Sequence, residues 1–224
     1  MQNIKQNIHL KTLERAFIDS FQNTVKDYLL KKIEIEEDCR ASFYHHIRPT
    51  IDKVESLQIY LSHNLTFLHQ TAKPDISIVR NNKYFLCSEI KIATQVNGNL
   101  RELNVSSAKG DIERIKLFAE GFSCGYAVRI ENSENSVIPD RKNAEDWMPD
   151  YFRELYYLVS SKEFYFYAVR KIKIKKGKNY TEVIKGGLLK ITLKELEENK
   201  LSKLIEIKYK NKFKISLFNA QASN

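Results

Sequence analysis

The chain has 224 residues, 42% of them hydrophobic and 29% charged, enough apolar mass for one full core. No apolar run reaches the roughly 20 residues of a membrane helix, and the N-terminus lacks the apolar stretch of a signal peptide, so a cytoplasmic protein with no membrane partner is expected. The net charge is +9, but residues 161–224 hold 16 Lys and Arg against 6 Glu, a net of +10, whereas residues 1–160 hold 21 basic and 22 acidic side chains, a net of −1. That asymmetry suits either a polyanion-binding surface or a solvated lysine-rich face. Cys39, Cys87 and Cys124 are too few and too far apart for a zinc site or a disulfide framework, and read as core thiols.

In residues 8–33, Leu10, Leu13, Phe17, Phe21, Val25, Tyr28 and Leu29 recur at three-and-four spacing, which predicts a long amphipathic helix. Its stripe serves either packing on the domain or pairing in a homodimer. Residues 34–47 predict a second helix, stopped or turned by Pro49. Cys39, Phe43 and Ile47 form its buried stripe. Glu36 stands at the edge of that stripe, with Glu37 and Asp38 beside it, an unusual place for a carboxylate unless the three acids simply face the helix dipole. His45 and His46 are adjacent, face different directions and lack a third ligand, so they read as exposed residues rather than a zinc site. Residues 50–61 place Ile51, Val54, Leu57 and Leu61 at helical spacing, and residues 65–70 read as a strand.

Residues 73–93, KPDISIVRNNKYFLCSEIKIA, hold two alternating apolar runs around a polar turn at residues 80–83. Asp75 heads the first strand. Glu89 and Lys91 sit two apart near the end of the second, on one face of it. A hairpin brings these three together. Taken alone, the same residues also suit an ordinary hairpin with a turn-start Asp and an edge ion pair.

Residues 106–120 predict a helix buried through Ile112, Ile115 and Ala119, with Gly121 as its cap, and residues 125–130 a strand. Strand, helix and strand in this order make a parallel crossover. Residues 143–160 predict a helix, through Trp147, Phe152, Leu155 and Val159. Residues 164–175 predict a long strand that sets Lys171, Lys173 and Lys175 on one face. A helix over 193–204 and a strand over 205–218 follow, the latter carrying Lys208, Lys210, Lys212 and Lys214 in a row. Two such rows would form one basic wall. The expected organisation is a single domain over 1–224, with an N-terminal helix (1–33), a core (34–160) and a basic part (161–224).

Pro74-Asp75, a gap of 13 residues, then Glu89-Ile90-Lys91 resembles the signature of the PD-(D/E)xK nuclease superfamily. The resemblance covers roughly residues 36–131 and implies an α/β, restriction-endonuclease-like fold. Its central mixed sheet would be flanked by helices, here with N-terminal helices and a basic, strand-rich C-terminal extension. It implies a DNA endonuclease of restriction or defence type using magnesium, with manganese as the alternative. Asp75, Glu89 and the main-chain carbonyl of Ile90 would be the ligands, and Lys91, kept charged by them, would stand beside the attacking water. Glu36 would lean in from the preceding helix, and Lys109 or Asp111 from the following one. A nuclease must also hold its duplex, and Lys171, Lys173, Lys175, Lys210 and Lys212 are expected to line the DNA track. Two other readings stand beside this one: a DNA-binding protein that kept the fold but does not cut, and an interaction protein assembled through the N-terminal helix.

Overall fold

The computed structural model describes residues 2–54, 57–62, 65–67, 70–80, 83–93, 95–96, 99–100, 122–131, 152–176, 179–214 and 216–218. The chain begins with two long helices, α1 (Gln2–Leu29) and α2 (Glu36–Ile51). Along α1 the stripe Leu13, Phe17, Phe21, Val25 and Tyr28, joined by Ile18, is buried, so this face is committed to the core. Pro49 does not stop α2. It lies in the last turn, and the helix closes two residues later.

The main sheet has seven strands: β1 (Leu57–Leu61), β4 (Ile76–Arg80), β5 (Lys83–Ile92), β8 (Phe122–Glu131), β9 (Phe152–Leu158), β10 (Glu163–Lys176) and β11 (Asn179–Thr192), in the order β1-β4-β5-β8-β9-β10-β11. Two small hairpins stand apart, β2 (Leu65–Phe67) with β3 (Gln70–Ala72), and β6 (Gln95–Val96) with β7 (Asn99–Leu100). A short helix α3 (Leu193–Leu196) and a longer α4 (Leu201–Phe213) close the described chain. The sheet is mixed: β5–β8 and β8–β9 are parallel, and the other neighbours antiparallel. The expected hairpin is the pair β4–β5, and the expected strand at 125–130 lies parallel to β5 within β8. The helix expected at 106–120, with Lys109 and Asp111, lies outside the described residues.

The register explains the layering. Ile90, Val128, Leu155, Phe166 and Leu189 stand side by side across five strands, and Ile92, Ile130, Tyr157, Phe164 and Ile191 form the next row. Cross-strand neighbours point to the same face. Both rows are buried in one cluster with α1, α2 and α4. Phe17 packs on Phe43 of α2 and Tyr126 of β8, with ring centroids 4.5 and 4.6 Å apart, and Phe21 meets Phe164 edge-on at 6.0 Å. Truncating a side chain such as Phe17 to alanine costs about 3–5 kcal/mol in sites of this kind.

Four expectations are corrected. Residues 57–61 are not helical: they pair along their length with β4, from Leu57 opposite Arg80 to Leu61 opposite Ile76. Residues 65–67 pair with β3 outside the main sheet, so the strand that precedes the hairpin there is β1. Residues 152–158 form β9, an interior strand buried on both faces, which therefore lacks the polar alternation that marks a strand. Residues 205–213 belong to α4: Leu201, Ile205 and Tyr209, four apart, are buried on one helix face. Spacing by four satisfies both a period of 2 and one of 3.6.

Asp27 ties α1 to α2, accepting from Ser42 Oγ at 2.8 Å and from Lys32 Nζ at 3.0 Å, with His46 Nε2 at 2.8 Å. His46 is thus half-buried and bonded rather than exposed. Burial raises the Asp27 carboxyl, but the hydrogen bonds from His46, Lys32 and Ser42 outweigh it and bring it down from 3.8 to about 2. Because the unfolded chain takes up the proton first, the stability Asp27 contributes is full above its unfolded pKa of about 4 and is lost as pH falls through about 2. Asp27→Asn should flatten that acid limb, which urea unfolding at stepped pH will read; superimposable limbs for the two proteins would refute the assignment.

Candidate active site

The β4–β5 pairing positions the signature residues. Ile76 is opposite Ser88, so Asp75, just before β4, comes level with Glu89 at the far end of β5. The Ile90 backbone N–H donates to Asp75 Oδ2 at 2.7 Å, fastening the two segments. Asp75 and Glu89 are 7% and 4% exposed, deep for carboxylates. Ile90 turns its side chain into the helical core, and alternation sends Glu89 and Lys91 to the opposite face.

The first turn of α2 divides its three acids among three tasks. Asp38 Oδ2 accepts from the N–H groups of Glu34 and Ile35, at 3.1 and 3.2 Å, and closes the turn. Glu37 is exposed. Glu36 reaches Lys91, whose Nζ lies 3.1 Å from Oε2 and 3.4 Å from Oε1. Of the acids in this turn, Glu36 is therefore the one joined to the signature lysine.

Sequence reasoning missed Arg40. It lies one turn beyond Glu36, so spacing by four was its signal. Its Nη1 is 3.2 Å from Asp75 Oδ1 and donates to Ser62 Oγ at 2.6 Å. Its Nη2 donates to Glu37 Oε1 at 2.8 Å and stands 3.5 Å from Glu36 Oε1. One guanidinium fork thus spans three carboxylates. Ser62, just past β1, also donates its N–H to the Asp75 carbonyl at 3.0 Å.

The polar face continues beyond β5. Glu89 aligns with Ala127 and Glu154, and Lys91 with Arg129 and Tyr156. Arg129 and Glu154 are 3% and 0% exposed. Arg129 stands 5.7 Å over the Tyr156 ring and 3.6 Å from Glu131, and Tyr156 donates its hydroxyl to Glu154 Oε2 at 2.6 Å. The sequence concealed this row because Arg129 follows a run of apolar residues in β8 and Glu154, next to Arg153, falls in a segment expected to be helical.

The lysines divide. Lys171, Lys173 and Lys175 lie at alternate positions of β10, where β10 pairs with β11 beyond the end of its pairing with β9. Lys210 and Lys212 are on α4, not on a strand. That helix packs on β11 and α1, and β11 is four strand spacings, about 19 Å, from β5. Lys212 Nζ donates to the Leu188 carbonyl at 2.9 Å. Lys210 lines a groove of about 830 Å³ with Arg15, Asp19 and Lys203. The expected row of four lysines at 208–214 therefore does not form.

Magnesium commonly binds through one or two carboxylates and several waters, and the oxygen donors of Asp75 and Glu89 suit it in kind. A cationic group already lies against Asp75, which marks the place as one that takes positive charge. Among the described residues no group of three or more His, Cys, Asp or Glu is placed to hold a metal.

All three cysteines are free and buried, as core thiols should be. Burial first, and then the Glu36 and Asp75 carboxylates, push the Cys39 thiol from 9.0 up to about 12. Between those values the unfolded chain releases a proton that the folded chain keeps, so stability falls as pH rises from about 9 to about 12. Cys39→Ala should reduce that alkaline slope by one proton, about 1.4 kcal/mol per pH unit. Unfolding free energies from pH 8 to 11 will read it, and an unchanged slope would count against the assignment.

Compared with family models, with curated proteins and with solved structures, the chain matches none.

Proposed function

We propose that this chain is a metal-dependent endonuclease hydrolysing phosphodiester bonds in DNA, of the restriction or defence type that its signature resembles. The observation that carries the reading is the Ile90 N–H bond to Asp75 at 2.7 Å, which sets Asp75 against Glu89-Ile90-Lys91, with Glu36 at 3.1 Å from the lysine. The mixed sheet and the β4–β5 hairpin with its parallel neighbour β8 are consistent with it.

A bound magnesium or manganese ion would supply phosphoryl polarisation and an acidified water. Asp75 and Glu89 offer the anionic oxygens. The Ile90 carbonyl leaves the strand on the same side as its N–H, and that N–H is directed at Asp75, so the carbonyl joins the same edge. Lys91 projects from the Glu89 face and orients the water or meets charge developing on the phosphate. Glu36 positions Lys91. Lys171, Lys173 and Lys175, on the β10–β11 arm, take backbone phosphates of the duplex.

A second reading, a DNA-binding protein that does not cleave, is favoured by one observation: Arg40 already pairs with Asp75 at 3.2 Å. Assembly through the N-terminal helix has less support, since the apolar stripe of α1 is buried within the chain's own core.

Incubation with supercoiled, linear, branched and single-stranded DNA should give magnesium- or manganese-dependent cleavage of at least one substrate. Lys91→Ala should abolish cleavage while leaving DNA affinity largely intact, and Asp75→Asn should abolish cleavage and weaken metal binding. Cleavage by Lys91→Ala at the wild-type rate would refute the assigned chemistry, and metal-independent DNA binding without cutting would favour the second reading. Replacing Lys171, Lys173 and Lys175 with Glu should lower affinity for every sequence. The slope of log affinity against log salt should also fall, by about one unit per lost phosphate contact. Equal affinities and slopes would make those lysines solvated surface.

A further inference from the structure

We propose that Arg40 is the residue that sets the cation affinity of this site. Its guanidinium neutralises the carboxylates in the metal-free protein, and a divalent ion binds by displacing it from Asp75. The inference rests on the metal reading of Asp75 and Glu89 given above and adds a named competitor to it.

The geometry of the fork carries the argument. Arg40 makes its closest polar contacts to Ser62 Oγ at 2.6 Å and Glu37 Oε1 at 2.8 Å, and longer ones to Asp75 Oδ1 at 3.2 Å and Glu36 Oε1 at 3.5 Å. Nη1 is shared between Ser62 Oγ and Asp75 Oδ1, and Nη2 between Glu37, which is 68% exposed, and Glu36. Each nitrogen that faces a site carboxylate therefore holds a second and closer acceptor. Arg40 can therefore give up Asp75 and still keep two hydrogen bonds, so release from the buried carboxylate needs no new partner. Asp75 without a counter-charge is costly at its depth, and either the guanidinium or a divalent ion removes that cost. The two cations cannot share Asp75 Oδ1 at full strength, because like charges a few ångströms apart repel strongly at a partly buried site. The site thus has two cationic states, one built into α2 and one taken from solution.

The test is Mn2+ binding to the full chain, followed by calorimetry and by the electron paramagnetic resonance signal of free Mn2+. The wild type, Arg40→Gln, Arg40→Lys and Asp75→Asn are compared, with melting temperatures taken with and without the ion. Arg40→Gln should bind Mn2+ about tenfold more tightly than wild type. It should also melt lower without the ion and gain more from it. Arg40→Lys keeps the charge but loses the fork, so it should tighten binding by a smaller factor. That variant carries the test if Arg40→Gln does not fold without metal. Wild-type binding that Asp75→Asn abolishes, together with Arg40 variants no tighter than wild type, would overturn the role of Arg40 and leave the metal site standing. Absence of binding in the wild type, or binding that survives Asp75→Asn, would overturn the metal reading and this inference with it.

Discussion

The structure depends on one constraint, the in-register alternation of five neighbouring strands around Glu89-Ile90-Lys91. Ile90 is locked into an apolar row that runs through Val128, Leu155 and Phe166 to Leu189. That row is the floor on which α1 lies, so the register cannot slip without turning the whole row to the other face. Holding Ile90 in the core holds its neighbours out of it. The signature residues thus inherit their placement from the burial of an isoleucine, and the hydrophobic energy that builds the domain also aims the site.

Electrostatics completes what the register begins. Charged groups as deep as Asp75 and Glu154 persist only with partners, since an unpaired buried charge costs several kcal/mol. Around Asp75 the carboxylate takes its partners from Arg40 on α2 and the Ile90 amide on β5, while Ser62 beyond β1 holds the Asp75 main-chain carbonyl. The site is therefore assembled only when α2 has docked on the sheet. The docking is secured from behind by the bonds between Asp27 and Ser42 and by Tyr28, whose hydroxyl donates to the Ala93 carbonyl at 2.8 Å, just past β5.

What the sequence disclosed follows from where each segment lies. The hairpin was legible because Asp75, Glu89 and Lys91 are polar residues in otherwise apolar strands with an Asn-rich turn between them. The stripe of α1 was legible because one face meets the core and the other meets water. The end of the chain misled, since Ile205, Tyr209 and Phe213 repeat every fourth residue and the lysines between them occupy even positions. As a strand the segment would line up its lysines. As a helix it buries Ile205 and Tyr209 and leaves Ile207 44% exposed, and packing on α1 and β11 decides for the helix. β9 misled for the opposite reason: neither of its faces meets solvent. Arg40 was hidden because an arginine one turn after a glutamate is ordinary helix surface until the fold places an aspartate beside it.

The two faces of the sheet also spend their polar residues differently. On the helical side, Glu14 accepts from the Tyr126 hydroxyl at 3.0 Å and the Cys124 thiol at 3.1 Å, with Arg153 at 4.0 Å. That group is a local knot inside an apolar layer, and it links α1 to β8 and β9. On the other side Glu89, Lys91, Arg129, Glu131 and Glu154 form a continuous charged field, with the small side chain of Ala127 between Glu89 and Glu154. A domain built for stability alone would fill that face with apolar residues, since replacing buried ion pairs by well-packed hydrophobes is often neutral or stabilising. Local rules of this kind are broken mainly where function requires it. The break here starts at Glu89 and Lys91 and runs on across β8 and β9, so the charged face is wider than the β4–β5 hairpin.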